Sequence, residues 1–102
     1  MLDGDIIGEA HDHDSLVAVL RQRKDQLHLS DLMLDDLAGF TQGHAGKLLG
    51  PARTKTLGRV SLSAMLGALG LRLLVVVDSE TAQRVAGRWK PRRERHVRRK
   101  AA

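Results

Sequence analysis

A chain of 102 residues with 42% hydrophobic and 2% aromatic content can hold one modest core, built from Leu, Val, Ala and Met. One Phe, one Trp and no Tyr exclude modules that stack single-stranded bases on aromatic platforms, and the lack of cysteine excludes a disulfide framework or thiolate zinc site. The formal net charge of +5 is unevenly spread: the first fourteen residues hold five acids and no Lys or Arg, whereas Arg88 to Lys100 holds eight Lys and Arg against Glu94 alone. Such asymmetry marks a surface or tail for polyanions.

Residues 1–13 read as an acidic, flexible leader in which Asp5-Ile6-Ile7-Gly8 offers a short strand at most. His11-Asp12-His13-Asp14 contains metal-ligating residue types, but the spacing fits no zinc pattern and a flexible segment holds ligands poorly. The tetrad reads as a polar lead-in, with Asp14 or Ser15 capping an amphipathic helix from Ser15 to about His28. Leu16, Val19, Leu20 and Leu27 share its inner face, and Arg21, Gln22, Lys24 and Asp25 point outward.

Ser30 to Gly50 reads as two short helices with a tight turn between them. Ser30 is an N-cap, Leu34, Leu37 and Ala38 share a face, and Gly39 suits the left-handed position that ends a helix. Thr41 then caps a second helix, 41–49, whose apolar stripe is Ala45, Leu48 and Leu49, and Gly50-Pro51 stops it. Gly43-His44-Ala45-Gly46-Lys47 is no phosphate loop. Thr41 stands where that pattern needs its first Gly, Leu48 where it needs Ser or Thr, and a helix precedes it instead of a strand.

Two helices joined by a short turn containing Gly is the helix-turn-helix pattern. On Leu34, Gly39, Phe40, the Thr41 cap and Leu48, the stretch from about Leu16 to Leu71 resembles the Cro/Xre class of phage repressors and antitoxins. Asp35 and Ala45 depart from it, standing where that class usually has a small apolar residue and an Ile or Val. The resemblance implies that helix 15–28 packs over the two motif helices and that helix 41–49 reads DNA.

Beyond Gly50 the loop to Val60 carries Arg53, Lys55 and Arg59 and no acid, which suits phosphate contacts. Ser61 caps a fourth helix with the stripe Leu62, Met65, Leu66 and Leu69, ended by Gly70. Leu71 to Val77 reads as a β-strand, and a lone strand in a helical domain leaves its backbone groups unpaired. Pairing of Leu71, Leu73, Leu74, Val75, Val76 and Val77 with the same strand of a second subunit answers that need, as in some antitoxins of the class this region resembles. A last helix, 79–89, is capped by Asp78 or Ser79, with Ala82, Val85, Ala86 and Trp89 as its packing stripe. Residues 91–102 read as a basic, disordered tail.

The fold class expected is mainly α. A helix-turn-helix domain of about five helices with one C-terminal strand, residues 14–90, dimerises by antiparallel strand pairing. The function expected is sequence-specific binding of double-stranded DNA at an inverted repeat, as a repressor or autoregulator. Ser30, Thr41, Gln42, Gly43, His44, Lys47, Arg53, Lys55 and Arg59 form the expected DNA surface. Alternatives are an antitoxin that neutralises a protein toxin, and a non-specific RNA-binding or nucleoid protein driven by the tail. No spacing implies catalysis, a metal or a cofactor. With no apolar run near the ~20 residues of a membrane span, and an acidic start unlike a basic signal peptide, the expected location is the cytoplasm.

Overall fold

Hydrogen bonds exchanged between Asp12 and Ser15 start helix α1, His13–Gln26. The Asp12 carboxylate accepts from the Ser15 N–H at 2.7 Å, and the Ser15 hydroxyl oxygen accepts from the Asp12 N–H at 3.1 Å. The pair satisfies two backbone donors of the first turn. The Ser15 N–H, and secondarily its hydroxyl, hold the Asp12 carboxyl below its usual range. Asp12 is therefore the cap, where the sequence predicts Asp14 or Ser15, because Ser15 serves better as the third-position partner.

The computed structural model describes residues 4–51 and 53–91, in two compact units that divide between Arg72 and Leu73. Among the described residues five α-helices and one short 3-10 turn follow in order, and none forms a β-strand, so the fold is mainly α. No helix among them is long and apolar enough to cross a membrane.

The first unit packs α1 and three further helices around one aliphatic core. In α1, Val17 and Leu20 are buried, while Val19 is only half-buried. Leu27 is 41% exposed, because the chain leaves the helix there and His28 takes the left-handed φ of 56°. Helix α2, Asp31–Ala38, is capped as predicted: the Ser30 hydroxyl accepts from the Met33 N–H at 3.1 Å, and Gly39 ends the helix at φ 74°. It buries Leu34 and Asp35, while Leu37, predicted on the inner face, is 57% exposed.

Helix α3 is His44–Leu49, shorter than the predicted 41–49. Thr41 does not cap it; Gly43 occupies that position at φ 90° and has no side chain to offer. Helix α4, Arg59–Leu69, begins at Gly58 rather than Ser61, whose hydroxyl accepts from the Gly58 N–H at 2.7 Å from within the first turn. Gly70 ends it at φ 67°, and its buried residues, Met65 and Leu69, belong to the predicted stripe. Leu62 and Leu66 pack partly buried against the core of Val17, Leu20, Leu34, Ala45, Leu48, Leu49, Met65 and Leu69.

Two α1 arginines close the ends of other helices. Arg21 Nε donates to the Leu49 carbonyl at 2.6 Å, and Arg23 Nε donates to the Leu69 carbonyl at 3.0 Å. Terminal carbonyls that α3 and α4 cannot satisfy internally thus find charged donors on a third helix. Arg21, predicted to face solvent, is half-buried for this reason. Arg21→Ala should lower stability by about 1–3 kcal/mol, the cost of losing a charged donor to a partly buried carbonyl. Urea unfolding measures it, and a change under about 0.5 kcal/mol would contradict the capping role.

Residues 71–78, which cross from the first unit into the second, have no regular secondary structure, and the expected strand is not formed within the single chain. Helix α5, Ser79–Val85, is capped by the Asp78 carboxylate, which accepts from the Thr81 N–H at 3.2 Å. A 3-10 turn, Ala86–Arg88, ends the helical run earlier than predicted. Trp89 follows it, outside any helix, and is 63% exposed instead of anchoring a core. The basic tail lies, apart from Pro91, outside the described residues.

Candidate nucleic-acid interface

The α2–turn–α3 segment is held by a single carboxylate. Asp35, 3% exposed, accepts from the Gly43 N–H through Oδ2 at 2.8 Å and from the Ala45 N–H through Oδ1 at 2.7 Å. A helix start needs an acceptor for its free N–H groups. Here it comes from the preceding helix, not from the residue at the cap. The departure at Asp35 is thus what joins the two helices. With the N-terminus so fixed, Ala45, Leu48 and Leu49 face inward, as their spacing predicts, and Lys47 is exposed.

The glycines of this segment have separate reasons. Gly43 needs its positive φ. At Gly46 an added Cβ would lie 3.2 Å from Asp31 Oδ2, so this position faces the start of α2 and not open solvent. Asp31 in turn holds Lys24 at 3.2 Å.

The loop after α3 is tied down at several points. The Lys47 carbonyl accepts from the N–H groups of both Thr54 and Lys55, each at 3.0 Å. His13 Nε2 accepts from the Leu57 N–H at 3.0 Å, which gives this member of the His-Asp tetrad a bracing role. Arg53 pairs with Asp14 at 2.6 Å. Its charge is thereby engaged by the first turn of α1.

The expected site residues therefore fall into groups. His44, Lys55 and Arg59 line one open groove with Phe40, Thr56, Gly58, Val60 and Ser61, and no acid lines it. His44 sits edge-on to Phe40, ring centroids 4.8 Å apart. Gln42 lies in the turn before α3 and lines a separate shallow depression with Leu32, Asp35, Asp36 and Phe40. Thr41 and Gly43 are exposed in the same turn, while the Ser30 hydroxyl is occupied as the α2 cap.

Sequence reasoning missed the roles of Asp35, Asp14 and His13, whose partners are remote in the chain. The one visible signal is the acid at position 35, where the class this stretch resembles usually has a small apolar residue. Comparison of the chain with family models, with curated proteins and with solved structures finds no match.

Proposed function

We propose that this chain is a sequence-specific, double-stranded-DNA-binding regulator of the Cro/Xre helix-turn-helix type, acting as a dimer and serving as a repressor or autoregulator. The observation that carries the reading is the acid-free groove lined by His44, Lys55 and Arg59 beside α3. Lys55 and Arg59 supply charge for phosphates, and the exposed Gln42 and Lys47 supply groups for base edges. Dimerisation uses the segment 71–77, paired antiparallel with its mate. A two-fold protein calls for an inverted repeat, with half-site centres about 10–10.5 base pairs apart or a multiple of that.

Paired substitutions test the reading. Gln42→Ala should cost about 1–3 kcal/mol on the selected operator and relax the preference at one base pair. Lys55→Ala should weaken all duplexes alike and flatten the salt dependence of binding. Titration of both variants against operator and random DNA at several salt concentrations decides it. Equal losses for Gln42→Ala on both DNAs would remove Gln42 from the reading surface, and no duplex binding by the wild type would end the proposal.

A second reading, an antitoxin that also grips a protein toxin, is favoured by one observation: α2 exposes Leu32, Met33 and Leu37 together, at 57%, 51% and 57%. An apolar patch of this kind suits a protein partner better than DNA.

A further inference from the structure

Leu73, Leu74, Val75, Val76 and Val77 are 52%, 62%, 103%, 76% and 79% exposed. Among the described residues, no backbone hydrogen bond engages the peptide groups of 73–77. Five consecutive large aliphatic residues with unused peptide groups demand a strand partner. The ends of the run carry opposite charges, Arg72 before it and Asp78 after it.

We propose that this segment pairs antiparallel with the same segment of a second copy in one register, centred on Val75, with Arg72 of each chain opposite Asp78 of its mate. The inference rests on the dimeric reading above and specifies its geometry. In that register Leu73 faces Val77, Leu74 faces Val76, and Val75, the most exposed residue of the run, faces itself across the two-fold axis. Side chains alternate along a strand. One face of the ribbon therefore carries Arg72, Leu74, Val76 and Asp78, and the other carries Leu71, Leu73, Val75 and Val77. The first face is closed at both ends by an ion pair, and the second is wholly apolar.

Other registers lose this match. Sliding one strand by one or two residues either way sets Asp78 opposite Gly70, Leu71, Leu73 or Leu74. A parallel in-register pair would set Arg72 beside Arg72 and Asp78 beside Asp78, and like charges directly opposite are destabilising. Asp78 already accepts from the Thr81 N–H and hydroxyl. A carboxylate has lone pairs for an arginine as well.

The chain lacks cysteine, so single-cysteine variants report position without interference. Under mild oxidation Val75→Cys should crosslink at least tenfold faster than Leu74→Cys or Val76→Cys. Those two place their thiols two residues out of register with their own copies, about 7 Å along the strand. Mixed together, Leu74→Cys and Val76→Cys should crosslink to each other. Arg72→Asp should weaken dimerisation roughly tenfold by turning both end pairs repulsive. Adding Asp78→Arg to that variant should restore it. Fastest crosslinking at 74 or 76 in a dimeric protein overturns the register and leaves the dimer standing. Dimerisation of Arg72→Asp as tight as the wild type's overturns the charged ends. A wild type that sediments as a monomer at micromolar concentration overturns the dimer and the register together.

Discussion

Asp35→Ala is expected to cost about 2–5 kcal/mol, because it removes one buried acceptor from two backbone donors at once. Nothing nearby replaces it: Gly43, at the cap position, has no side chain, and α3 has only six residues. A helix that short is marginal without tertiary support. Its loosening would release Ala45, Leu48 and Leu49, three of the eight buried core residues. Asp35→Asn keeps one carbonyl oxygen as an acceptor, so it should recover part of the loss. Denaturant unfolding gives the energies, and amide exchange at Gly43 and Ala45 locates them. If Asp35→Ala unfolds at the wild-type midpoint, the carboxylate does not hold the turn.

Val75→Pro should have the largest effect on binding. Proline has no N–H and fixes φ, so it removes a ladder donor and kinks the strand. On the dimeric reading the variant is monomeric, and its affinity for an inverted repeat falls by roughly 100-fold or more as the second half-site becomes a separate binding event. The first unit, which ends at Arg72, should keep its helices and its unfolding midpoint. Sedimentation, circular dichroism and a footprint on the repeat read these separately. A dimeric Val75→Pro protein that protects both half-sites would remove residues 71–77 from the interface.

Local chemistry made much of the first unit legible. Ser30 and Gly39 bound α2, Gly70 ends α4, and the buried members of the stripes in α3 and α4 follow helical spacing. Errors arose where a side chain serves a distant element. Arg21 looks outward on a helical wheel, yet it caps a helix 28 residues away. Thr41 is a reasonable cap by composition, but the Asp35 carboxylate accepts from the Gly43 and Ala45 N–H groups, one on each oxygen, and the helix starts at His44. Leu73 to Val77 and Trp89 read as buried from their apolar character, yet they are exposed in the single chain, and of the expected strand Leu71 packs against the core. Of the expected DNA surface, the basic loop was visible as composition. The pairing of Arg53 with Asp14 was not, because Asp14 lies 39 residues away.

The shared carbonyl of Lys47 bears on how such a protein would choose among duplexes. Because the N–H groups of Thr54 and Lys55 both end on it, the loop after α3 is tied to that helix. On the proposed reading neither part can adapt alone to a groove that is too wide or too narrow, so the DNA must do the adjusting. The energy of that adjustment depends on base steps the protein never touches, since pyrimidine–purine steps yield easily and A-tracts resist. Preference should therefore extend beyond the contacted bases into the spacer between half-sites, where stiffness is read instead of hydrogen bonds.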